Sequence, residues 1–144
     1  MATPARTSLS DLPKGYRFSP ISFELTDDYV SRYLDAVGDA STVYRERGLA
    51  PPLAAAARGL GALLEVLDLP DGALHVGQEV AVRAGLPIGA TVTLAGQVAE
   101  RLERAGLIVS VIEFELTPAG SDVAALTGRT TVAVPARSTS GGGS

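Results

Sequence analysis

The chain has 144 residues, the size of one ordinary domain, and its 46% hydrophobic and 19% charged residues supply a core and exclude general disorder. With no cysteine, one histidine and one methionine, disulfides, thiolate metal sites, cysteine nucleophiles and histidine-rich metal centres are excluded. The 12 basic and 16 acidic residues give a net charge of −4, the wrong sign for neutralising the phosphates of a nucleic acid. The longest apolar run, Pro51 to Leu67, holds Arg58 and Glu65, whereas a membrane span needs about 20 predominantly apolar residues. Met1 to Leu12 lacks the apolar centre of a secretory signal, so a cytoplasmic protein without membrane or nucleic-acid partners is expected.

Residues 1–15 are polar and contain proline, and read as a flexible N-terminal segment. A short extended stretch follows at Ile21 to Leu25. Thr26 then offers a helix N-cap, and the charges of Asp27 and Asp28 suit the positive end of a helix. Tyr29, Val30, Tyr33, Leu34 and Val37 recur at helical spacing until Gly38 stops the run. Pro51 and Pro52 fit the start of a second helix over residues 53–67. Leu53, Leu60, Leu63, Leu64 and Leu67 cover much of its circumference, which predicts a helix wrapped by the rest of the protein.

From Ala73 the period changes to two. Leu74, Val76, Val80 and Val82 mark one face of a strand, and Val92, Leu94 and Val98 mark another. After a turn at Ala105-Gly106, a third strand carries Ile108, Ile112, Phe114 and Leu116 on one face, and Val123 to Val134 form the last. Residues 136–144 end in Ser-Gly-Gly-Gly-Ser and read as a flexible tail, leaving a domain over residues 16–135. The fold class is α+β, with helices segregated from an antiparallel meander.

A long apolar helix followed by four long strands is the outline of a hot-dog fold, a curved antiparallel sheet wrapped around one central helix. Three segments resemble the MaoC-like hydratases and dehydratases of acyl thioesters, and most closely the N-terminal-type MaoC domains of fatty-acid-synthase-like dehydratases. Tyr33 to Asp39 is similar to the run leading into that family's catalytic Asp, and Gly48 to Pro52 to the segment opening its central helix. Leu74 to Glu79, with Leu86 to Gly89, resembles its first long strand and turn. The resemblance implies water addition to an enoyl thioester, or its removal from a 3-hydroxyacyl thioester. An Asp and a His five positions later would handle the proton and the water.

Here Asp39 is present, but Tyr44 stands at the His position. A phenol with a pKa near 10 donates a hydrogen bond and is a poor general base at neutral pH. The Asn-Pro pair usual before the His is replaced by Ser41-Thr42, and only six residues separate Tyr44 from Pro51. N-terminal-type domains share the Tyr and commonly support an active partner domain. The expectation is therefore a catalytically degenerate domain that binds an acyl thioester on CoA or acyl carrier protein. The partner is a second copy, as a homodimer, or a catalytic MaoC-like chain, as a heterodimer. No cofactor or metal is implied.

An active hydratase using Asp39 with His75 of the same or a neighbouring chain is the alternative, as is a thioesterase using Glu65 or Asp39. A purely structural or ligand-sensing dimer is a further one. Each residue also has a plain structural use. Asp39 ends a helix, Tyr44 packs beneath a loop, and His75 sits in a strand beside the polar set Gly77, Glu79 and Arg83. Pro52, Leu53 and Ala54 at the central helix start are the expected substrate-binding residues. Since proline has no N–H, a thioester carbonyl would take its donors from Leu53 or Ala54.

Overall fold

The computed structural model describes residues 7–38 and 43–136. In chain order these form β1 (Thr7–Ser8), a 3-10 turn (Leu9–Asp11), β2 (Ile21–Glu24), α1 (Asp27–Ala36), α2 (Val43–Arg47), β3 (Leu49–Ala50) and α3 (Pro52–Glu65). β4 (Leu67–Asp68), β5 (Leu74–Val82), β6 (Leu86–Pro87), β7 (Thr91–Arg104), β8 (Leu107–Pro118) and β9 (Leu126–Pro135) complete the chain. The main sheet has the order β2-β7-β8-β9-β5 and is antiparallel throughout. Two small pairings, β1 with β4 and β3 with β6, tie the ends of α3 to the surrounding chain.

One face of the sheet packs on α3. Leu94, Leu116 and Leu126 lie side by side across β7, β8 and β9, and all three are buried. Gly59 of α3 comes so close to Leu116 and Leu94 that an added Cβ would lie 3.0 Å from a Leu116 methyl. The alternating apolar sets expected in β7 and β8, Val92, Leu94 and Val98 with Ile108, Ile112, Phe114 and Leu116, are buried. The architecture is thus the α+β hot-dog arrangement expected from the sequence.

α1 begins where expected, with the Thr26 hydroxyl accepting a hydrogen bond from the Tyr29 N–H at 3.0 Å. Four expectations need correction. First, the N-terminal segment is not flexible from residue 7 onward. Leu9 and Leu12 are buried in the core and Thr7 N–H bonds the Val66 carbonyl, because a few apolar side chains suffice to anchor a polar stretch. Ala136 also packs against the core, and the rest of the expected tail, 137–144, lies outside the described residues.

Second, the central helix runs over Pro52–Glu65 and is buried on one side only. Its buried positions are the small Ala54, Ala55, Ala56, Gly59 and Ala62, with Leu63. Leu53 is 58% exposed and Leu64 37% exposed, so the leucines cover the circumference without all reaching the core. Third, β5 does not bury one alternating face. A bulge between His75 and Gly77 makes Val76 an extra residue, which reverses the sides of the strand's first half. Leu74 therefore falls on the face opposite Val80 and Val82. Fourth, the last strand starts at Leu126 rather than Val123, since residues 121–124 form an irregular turn in which Ser121 Oγ donates to the Val123 carbonyl at 3.1 Å.

Candidate functional site

The start of α3 is built by two prolines. Pro51 caps the helix in an extended conformation, and its carbonyl accepts from both Ala54 N–H at 3.0 Å and Ala55 N–H at 3.1 Å. Pro52 has no N–H to offer. Of the expected donors, Ala54 is thus committed within the helix. Leu53 N–H is left as the first-turn donor without a bond among the described residues. The Leu53 side chain projects outward, whereas Ala54 is fully buried.

α1 holds this helix start in place. The Tyr29 hydroxyl donates to the Ala54 carbonyl at 3.0 Å, and burial pushes the Tyr29 phenol above its ordinary value of 10.0, against the opposing pull of Arg58. The Arg58 guanidinium lies 5.0 Å over the Phe23 ring, which ties α3 to β2 by a cation–π contact. Sequence reading gave Tyr29 a place on an apolar helix face and missed its hydroxyl's role. The signal is its fit three residues after the Thr26 cap, one turn below Tyr33 and across from the Pro-Pro start.

Tyr44 stands in the short helix α2 and is half-buried against the core. Asp39, the other member of the expected pair, lies outside the described residues. On the far strand β5, His75 Nε2 is 2.7 Å from the Thr130 hydroxyl, which is fully buried and also lies 3.4 Å from the Gly77 carbonyl. The bulge at Val76 puts His75 on the α3 side, paired with buried Val132, and not on the face of Gly77 and Glu79 expected from simple alternation. Glu65 is the exposed last residue of α3, at the opposite end from Leu53. Among the described residues, no three His, Asp or Glu side chains group to hold a metal ion. No described helix is long and apolar enough to cross a membrane.

No protein-family model matches the chain, and no curated protein matches it in sequence. Solved structures match its shape. An unliganded R-hydratase of Pseudomonas aeruginosa superposes with a TM-score of 0.74 at 13% identity, over 92% of this chain and 88% of that one. A MaoC-like dehydratase of Rhodospirillum rubrum gives 0.71 at 15% identity, over 91% and 98%. The HadBC (3R)-hydroxyacyl-ACP dehydratase complex of Mycobacterium tuberculosis gives 0.72 at 16% identity, over 87% of this chain and 99% of that one. The chain therefore has the hot-dog fold, in the form that MaoC-like dehydratases and R-hydratases share.

Proposed function

We propose that this chain is a MaoC-like domain of the dehydratase class that binds an acyl thioester, on CoA or acyl carrier protein, without a working Asp–His pair. It acts as a dimer or as the partner of a catalytic MaoC-like chain. One observation carries the reading. The chain's sole imidazole is on β5 and bonded to Thr130, and Tyr44, which stands where the resemblance puts the family's base, is half-buried. A phenol there can hold a substrate oxygen through its O–H and is a weaker general base than an imidazole. The free Leu53 N–H at the start of α3 suits a thioester carbonyl, the same donor that would stabilise an enolate if a base were supplied. The M. tuberculosis dehydratase of this fold is itself a complex, which supports a supporting role beside another chain.

The test is to titrate crotonyl-CoA into the protein by calorimetry and to follow loss of the enoyl absorbance in the same mixture. Binding without turnover is expected. Hydration at ordinary enzyme rates, about 1 to 10³ per second, would show an active hydratase that draws on Asp39 with His75 or another group. Tyr44→His should raise any residual rate, and Asp39→Asn in that background should remove the gain. Hydrolysis of the thioester would instead point to the thioesterase alternative.

A further inference from the structure

An arginine carries a permanent charge and five N–H donors, so one drawn away from water is normally met by a carboxylate or by carbonyl groups. Among the described side chains two arginines are half-buried, Arg101 and Arg58. Arg101 follows the rule, donating to Glu103 at 3.2 Å and to the Ser10 carbonyl at 2.9 Å. Arg58 does not. Its guanidinium lies 5.0 Å over the Phe23 ring and makes no ion pair or hydrogen bond among the described residues. The ring fixes where the guanidinium sits, and its N–H donors have no acceptor.

The surroundings add a donor and no negative charge. Arg58 and Tyr33 are both close enough to the Tyr29 phenol to act on its ionisation, and no carboxylate is among the groups that do. The Tyr29 proton is committed to the Ala54 carbonyl, whereas the Tyr33 hydroxyl makes no hydrogen bond among the described residues. A guanidinium and a free phenol on neighbouring helices suit an oxyanion, and a planar carboxylate matches the guanidinium fork. Position narrows the choice further. Leu53 N–H and Arg58 belong to one helix, five residues and about 7.5 Å apart along its axis, the span of about five carbon–carbon bonds. The phosphate of a thioester carrier lies beyond the whole pantetheine arm on the sulfur side, so the anion at this short distance belongs to the acyl group.

We propose that Arg58, aided by the Tyr33 hydroxyl, binds a carboxylate at the far end of a short acyl chain whose thioester carbonyl meets the Leu53 N–H. The ligand is then the monothioester of a short dicarboxylic acid. This rests on the thioester reading above and deepens it by naming the acyl group. An acyl chain that ends in a methyl group would bring an apolar tip against the guanidinium and leave its donors unmet, so the site discriminates by charge at the acyl tip.

The probes are glutaryl-CoA and pentanoyl-CoA, which share a saturated acyl chain of the same length and differ in one terminal carboxylate, with free CoA as the control. Calorimetric titration of the full chain should show glutaryl-CoA binding about tenfold or more tighter than pentanoyl-CoA, the worth of a charge-assisted hydrogen bond. Arg58→Gln should remove that preference, Arg58→Lys should keep part of it, and Tyr33→Phe should reduce it. Circular dichroism checks that each variant is folded. Equal affinity of the wild type for the two thioesters, or a preference that survives Arg58→Gln, would overturn the inference and leave thioester binding standing. A loss on Arg58→Gln that is equal for both thioesters and free CoA would put Arg58 on a phosphate of the carrier and overturn it as well. Absence of binding by either thioester would sink the functional reading itself, and this inference with it.

Discussion

The Phe114 ring on β8 occupies the space over Gly128 on β9 that a side chain there would need. Glycine at that point is a packing requirement, since its backbone is ordinary strand. Gly128→Ala should destabilise the protein by about 1 to 3 kcal/mol through overpacking, although alanine is intrinsically easier to order. Adding Phe114→Leu should cost less in the Gly128→Ala background than in the wild type. Denaturant midpoints of the four proteins measure this coupling, and simple additivity would show that the ring does not depend on Gly128.

Neighbouring leucines of α3 should behave differently. Leu63 is fully buried, and truncation to alanine should cost about 2 to 5 kcal/mol. Leu64 is 37% exposed, so Leu64→Ala should cost well under half as much. Equal losses in urea melts would place both side chains in one core.

The Tyr29 hydroxyl links α1 to α3, and Tyr29→Phe should cost about 0.5 to 1.5 kcal/mol. Its pKa is raised in the folded state, so the fold favours the protonated phenol. That contribution is complete below the unfolded value near 10 and is lost as pH rises through the higher folded one. The stability gap between wild type and Tyr29→Phe should therefore shrink above about pH 10. A gap that stays constant from pH 8 to 11 would remove Tyr29 from the linkage.

Leu9 tests whether the N-terminal segment belongs to the domain. It has no exposed surface, and Leu9→Ala should cost about 2 to 5 kcal/mol. A loss below about 0.5 kcal/mol would return residues 7–12 to the status of a loose arm.

Long, regular elements were legible in the sequence because their periodicity is repeated many times. The Thr26 cap, α1 and the alternation of β7 and β8 needed only residue spacing. β5 was misread because alternation counts apolar residues and is blind to one inserted residue, and Val76 sends His75 and Leu74 to faces opposite those expected. Residues 7–12 carry too few apolar positions to show a period, yet two of them reach the core. At the candidate site, Tyr44 stood out only through the family resemblance, five positions after Asp39. The Tyr29 hydroxyl and the commitment of Ala54 N–H to Pro51 arise from tertiary placement and left no periodic trace.

The turn between β7 and β8 has a consequence for the order in which the protein folds. Ala105 and Gly106 both have positive φ, 52° and 79°, the geometry of a two-residue type I′ turn that matches the twist of its flanking strands. It closes the longest hairpin in the molecule with the smallest loss of chain entropy, so that hairpin can form early, while Leu74 must wait for distant Ala133. The strained alanine slows that first closure. Ala105→Gly should accelerate refolding more than it slows unfolding in stopped-flow chevrons. β2, whose Ile21 must find Leu94 across an even longer stretch of chain, then arrives last.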